Sequence, residues 1–170
     1  MFGGRKAEER RREEIRMADQ AADHALAAMG AGDLDRARDE LSAAPKKLDF
    51  ADIGWKVEAV SALLELATNK RKAAIKRLTE FAARLDETSL SKDDKGYLRL
   101  FALYRAIEAS KTNKAPAELR MHTEDFRFDH TLVSGALKSR FPLKKTEPSE
   151  PAPPPIAAPP ASSDDGKGPF

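Results

Sequence analysis

From Arg5 to about Phe141 the apolar residues recur at intervals of three and four, the period of a helix that buries one face. The first such run has no breaker between Arg5 and Met29, and Ile15, Ala18, Ala22, Leu26 and Met29 share its stripe. Gly30 and Gly32 end it, since glycine accepts the left-handed conformation that follows many helices. Asp33 then caps a short second helix whose inward residues are Leu34, Ala37, Leu41 and Ala44, with Pro45 as its stop. A third helix is expected from about Asp52 to Thr68, turning Ile53, Val57, Val60, Leu63, Leu64 and Ala67 inward. Asn69 is read as the cap of a fourth, with Ala74, Ile75, Leu78, Phe81, Ala82 and Leu85 on one face. After a polar break at Ser89–Asp93, a fifth carries Tyr97, Phe101, Tyr104 and Ile107. Asn113 with Pro116 opens a sixth, and Asp129 caps a last one through Leu132, Val133, Ala136, Leu137 and Phe141. The alternation Phe126-Arg127-Phe128 is the sole strand-like pattern, and a lone strand has no partner. The fold class is therefore all-α.

The pattern stops near Pro142, because nine of the eleven prolines lie from there onward. Each proline removes a backbone donor, so residues 143–170 are expected to be a disordered, proline-rich tail. The helical domain is then 1–142. Its first ten or so residues form an exposed, charged helix end, because glutamates and arginines alternate there and apolar residues are missing before Ile15.

The helices also repeat. At a shift of 44 residues, Thr68-Asn69-Lys70 falls on Thr112-Asn113-Lys114, Ile53 on Tyr97, Val57 on Phe101 and Val60 on Tyr104. A shift of 37 places Ala37 on Ala74, Leu41 on Leu78 and Ala44 on Phe81. Periods of this size belong to helical hairpins that bury their apolar faces against neighbouring hairpins. The segment Gly32-Asp33-Leu34-Asp35-Arg36-Ala37, followed by Leu41 and Ala44 and preceded by Ala25, resembles the second half of a tetratricopeptide repeat, best over residues 18–45. It departs from that family at Ala21, where an aromatic is usual, and the later units lack the Gly-Asp turn. The resemblance implies antiparallel hairpins stacked as a short α-solenoid with a concave, partner-binding face. A compact helical bundle is the alternative arrangement.

Composition narrows the chemistry. There is no cysteine, which excludes disulfide scaffolds, cysteine-ligated zinc and thiol catalysis. The longest apolar run, Ala59 to Leu64, stops at Glu65, far short of the ~20 residues that span a bilayer. No apolar block follows the first charges as a secretory signal would require, so a cytoplasmic location is expected. The alanine- and arginine-rich usage suits a bacterial protein. Neither a glycine-rich phosphate loop, nor a nucleophile elbow, nor a His-Glu-x-x-His pair occurs, so no catalytic residue and no cofactor is assigned and the protein is not read as an enzyme. Carboxylate pairs such as Asp93-Asp94 lie in charged, solvated stretches, whereas a catalytic acid needs burial. The best metal-like constellation is His122, Glu124, Asp125, Asp129 and His130, but histidines eight apart on a helix stand roughly 12 Å from each other.

The formal net charge of +2 conceals an acidic stretch over 1–45, a basic one over 46–147 and an acidic one over 148–170. Lys70, Arg71, Lys72, Lys76 and Arg77 form the densest basic run, at a predicted helix start where the dipole disfavours cations. Together with Tyr97 and Tyr104 they are the candidate partner-binding residues. The leading expectation is a non-catalytic adaptor that binds another protein or peptide on helical repeats. One alternative is a nucleic-acid-associated protein using basic patches at 70–77 and 138–145, although no aromatics interleave with the first of them. The other is a metal-binding or small-molecule protein around His122–His130.

Overall fold

Five alanines, at 18, 21, 22, 25 and 28, set the first packing surface of the molecule. They lie on α1 (Phe2–Gly30), and all are buried. The larger side chains expected on this face, Ile15, Leu26 and Met29, flank the stripe and are only half-buried. Side chains that end at Cβ let a neighbouring helix come close, which explains why alanine occupies the centre of the contact. The computed structural model describes residues 2–110, 116–117, 119–120 and 128–143, and those residues are all-helical apart from connecting turns, with no strand among them. Of the expected tail 143–170, Leu143 is described and packs half-buried against the core, while residues 144–170, the Thr112-Asn113-Lys114 junction, Phe126 and Arg127 lie outside the described residues.

α1 ends in a turn in which the Asp33 amide donates to the Ala28 carbonyl at 2.9 Å and the Gly32 amide to that of Met29 at 3.0 Å. Gly32 has φ +79°, the left-handed conformation this arrangement needs. Asp33 then starts α2 (Leu34–Ser42) as expected, its Oδ1 accepting from the Arg36 amide at 3.0 Å. A π-helical turn, Phe50–Gly54, leads into α3 (Trp55–Ala67), the Gly54 amide reaching back to the Asp49 carbonyl at 3.0 Å. A Cβ on residue 54 would stand 3.1 Å from that same oxygen, so a larger side chain would crowd the turn. Ala59, Val60, Ala62 and Leu64 are the buried side of α3, while Ala67, expected inward, is exposed.

The end of α3 repeats the end of α1. Lys70 donates its amide to the Glu65 carbonyl at 2.7 Å, Asn69 to that of Leu66 at 3.1 Å, and Asn69 has φ +63°. Asn69 therefore closes α3 and does not cap α4 (Arg71–Arg84), a correction to the sequence expectation. The residue in the cap position of α4 is Lys70, which makes no side-chain capping bond. Gly32 and Asn69, and likewise Asp33 and Lys70, stand 37 residues apart. α4 buries Ala74, Leu78, Phe81 and Ala82, and Leu85 follows in a 3₁₀ turn.

Ser91 caps α5 (Lys92–Ala109), its Oγ accepting from the Asp94 amide at 3.1 Å. Tyr97, Leu98, Phe101, Ala102, Ala106 and Ala109 form its buried side. The expected last helix is split: Asp129 caps only a 3₁₀ turn, His130–Leu132, Val133 and Ser134 are extended, and α6 is Gly135–Arg140. α1 packs on α2 and α3, α3 also on α2 and α4, and α4 on α5. Phe50, Val60, Leu78, Phe81, Phe101, Leu119 and Phe141 belong to one continuous core.

Candidate peptide-binding face

Residues from the last turns of α1, α3 and α5 line one cleft, and residues near the starts of α3 and α5 line another with α6 and the middle of α1. The three odd-numbered helices thus present a common face. Along it lies the segment 128–143.

Val133, Leu137 and Phe141 bury the segment in the core, and its hydrogen bonds to α5 run through its backbone. Asp93 Oδ1 accepts from the Asp129 amide at 2.8 Å, and Asp94 Oδ1 from the Ser134 amide at 2.9 Å. The Tyr97 hydroxyl donates to the Phe141 carbonyl at 2.7 Å, and an Arg105 terminal nitrogen donates to the Pro142 carbonyl at 2.7 Å. All four donors or acceptors come from α5. The Asp93-Asp94 pair, which the sequence offers only as solvated carboxylates, is thus a pair of tethers. No local signal could reveal this, because the partners lie 36 and 40 residues away.

Side chains of the segment also make specific contacts. Phe141 is fully buried, with its ring edge-on to Phe101 at 5.4 Å and tilted against Trp55 at 6.4 Å. Arg140 Nε stands 3.0 Å from Asp23 Oδ1 on α1. Asp23 in turn lies 2.8 Å from Lys56 Nζ, and Lys56, buried on α3, is also paired with Asp19. Gly96 opens room for the other end of the segment, since a Cβ there would come within 2.8 Å of Phe128. A glycine inside a helix costs roughly 1 kcal/mol relative to alanine, and the close approach of Phe128 accounts for it.

Among the described residues, Pro142 borders a cleft of about 580 Å³ with walls of Leu26, Met29, Leu63, Leu66 and Ala109. Arg71 and Arg105 also line it. Arg105 is buried, bonds Glu108 at 2.7 Å through one terminal nitrogen, and packs over the Phe101 ring.

The sequence-selected residues do not form one site. Lys70, Arg71, Lys72 and Lys76 are exposed around the first turns of α4, with Arg71 alone of them on the apolar cleft and hydrogen-bonded to Asn69. Arg77 is turned inward and bridges Glu65 at 2.8 Å and Glu58 at 2.6 Å on α3; these hydrogen bonds, Glu65 first, raise its already high pKa. Tyr97 is buried beneath the 128–143 segment and Tyr104 is 40% exposed. In the second basic patch Lys138 donates to the His130 carbonyl and Arg140 is taken by Asp23, while Lys144 and Lys145 lie outside the described residues.

Of the metal-like constellation, His122, Glu124 and Asp125 lie outside the described residues. The His130 ring rests against Phe128 at 4.7 Å and Tyr97 at 6.2 Å. Asp129 accepts from the Thr131 hydroxyl and amide, which holds its carboxyl below the usual range. Among the described residues no group of three or more histidine or carboxylate side chains could hold a metal ion. No helix among them is long and apolar enough to cross a membrane. Comparison of the chain with protein-family models, with curated proteins and with solved structures finds no significant match.

Proposed function

We propose that this protein is a non-catalytic, cytoplasmic adaptor. In this reading its helix pairs stack as a short α-solenoid of the tetratricopeptide kind and hold a peptide of another protein on the face of α1, α3 and α5. The observation that carries it is the seating of residues 134–143 on that face through bonds to their backbone carbonyls and amides. Recognition of main-chain groups with pockets for selected side chains is one recurring way of binding a peptide. The apolar cleft that Pro142 borders supplies further surface of that kind.

The test is selection of ligands for the full-length protein from a displayed random peptide library. Ala67 is exposed beside the cleft, so Ala67→Trp fills the site without disturbing the core. Selected peptides are expected to bind wild type and to lose at least tenfold in affinity to the variant. No enriched peptide, or peptides indifferent to Ala67→Trp, would overturn the proposal. Retention on heparin that collapses steeply with salt would favour nucleic-acid binding in its place.

A further inference from the structure

We infer that the exposed cations at the start of α4 are an internal docking surface for this chain's own acidic tail, and that Glu147 and Glu150 are the residues that engage it. The contact goes beyond the adaptor reading and needs no partner peptide.

Lys70, Arg71, Lys72 and Lys76 crowd the first two turns of α4, and all are exposed. Arg71 donates to Asn69 Oδ1 at 3.0 Å. Among the described residues the side chains of Lys70, Lys72 and Lys76 have no carboxylate partner, whereas Arg77 is paired with both Glu58 and Glu65. The cluster is unfavourable as it stands. Like charges four apart on a helix repel, as Lys72 and Lys76 do, and the helix dipole disfavours cations in a first turn that holds no acid. Carboxylates brought to this surface relieve both effects.

The tail carries them within reach. Pro142, whose carbonyl Arg105 holds, borders the same cleft as Asn69 and Arg71. The chain therefore leaves the described residues across one cleft from the cations. Glu147 lies four residues past Leu143 and Glu150 seven. At roughly 3.1–3.5 Å per residue they reach up to ~14 Å and ~25 Å from it. Pro148 and Pro151 favour extended backbone in the glutamate before each. In that conformation side chains three apart return to one side about 9 Å along the chain, and residues 70 to 76 span about 9 Å of helix axis. Lys144 and Lys145 come first and are repelled by this surface, so the contact begins at Glu147. From there to residue 166 the tail carries Glu147, Glu150, Asp164 and Asp165 and no cation. A single exposed ion pair is weak, but the tether presents the glutamates at an effective concentration of order millimolar, and salt dissolves the contact.

Carbodiimide coupling of the full chain at about 20 mM salt, read by mass spectrometry, tests this. Amide links from Glu147 and Glu150 are expected on Lys70, Lys72 and Lys76 about fivefold more often than on Lys46, Lys47, Lys92 and Lys95. The preference should vanish at about 1 M salt, where screening acts beyond ~3 Å. Links spread evenly over these lysines, or a preference that salt leaves unchanged, would show tethered proximity alone and overturn the inference. Coupling a mixture of isotope-labelled and unlabelled chains identifies the occupant. Absence of mixed links supports the chain's own tail, while mixed links would make the occupant a second copy and overturn it. Library peptides that depend on Ala67 sustain the adaptor reading whichever way coupling falls. A second measurement uses Glu147→Gln with Glu150→Gln, two positions outside α1 to α6, so the fold is retained. Backbone NMR signals of Arg71, Lys72 and Ala73 are expected to differ between wild type and this variant at low salt and to coincide at high salt. Coincidence at both would overturn the inference.

Discussion

Tyr97 joins helix packing to the 128–143 segment through one hydroxyl. Burial, the largest influence, pushes its pKa up from the usual value near 10, opposed by the backbone of Leu143 and by nearby Arg105. A group whose folded pKa is raised contributes stability that is complete below the unfolded pKa and is lost as pH climbs through the folded one. Wild-type stability should therefore hold up to about pH 10 and fall above it, as Tyr97 is forced to surrender the proton it donates to the Phe141 carbonyl. Tyr97→Phe is expected to cost about 1–2 kcal/mol at neutral pH, because the carbonyl loses its donor. The variant should also lack the alkaline loss attributable to this site. Urea titrations of both proteins between pH 7 and 11 check the two expectations. Tyr97 and Tyr104, both read as candidate partner-binding residues, stand seven residues apart, nearly two turns, on one stripe of α5. Periodicity assigns a stripe but not how far along it another segment lies, so one tyrosine is covered and the other is 40% exposed.

At the scale of elements, the helices α1 to α5 were legible in their apolar spacing, and Asp33 was read correctly as the cap of α2. Asn69 was not, because asparagine serves both as an N-cap and as a left-handed residue after a helix, and only φ distinguishes the two. Its conformation at +63° gives a direct prediction. Asn69→Gly should leave stability unchanged or raise it by a few tenths of a kcal/mol, since glycine holds this conformation without a Cβ penalty. Gly32→Ala, at φ +79° in the matching turn, should cost roughly 1–2 kcal/mol, although open space surrounds the new methyl. Thermal melts of the two variants would show opposite or null against negative shifts; equal shifts would contradict the shared turn geometry. The last helix was misread for a different reason. Asp94 takes the Ser134 amide, and Ser134 is extended, so the helix that Asp129 was expected to start is broken between Leu132 and Gly135. That competition comes from 40 residues upstream and leaves no trace in the local pattern.

Across the whole molecule, α1, α3 and α6 meet at a charge cluster that apolar periodicity passes over, because its centre is a lysine on a buried position. Lys56 has a side chain only 4% exposed, with Asp19 and Asp23 on either side, and Asp23 is shared with Arg140. The two aspartates keep 47% and 32% of their side-chain surface in solvent, so the cost of losing the lysine is well below that of a wholly buried pair. Lys56→Met should destabilise by roughly 1–3 kcal/mol, since methionine replaces the stem but leaves Asp19 without its cation. Arg140→Met should cost less than about 1 kcal/mol, because Arg140 is 42% exposed and Lys56 still compensates Asp23. The double variant tests whether the three groups act as one unit. If they do, removing both cations strands Asp23, and the loss should exceed the sum of the single losses by about 0.5 kcal/mol or more. Additive losses would mean that α6 is joined to α1 independently of the α1–α3 seam. Coupling would mean that α6 is tied into the α1–α3 seam, with Asp23 as the shared group.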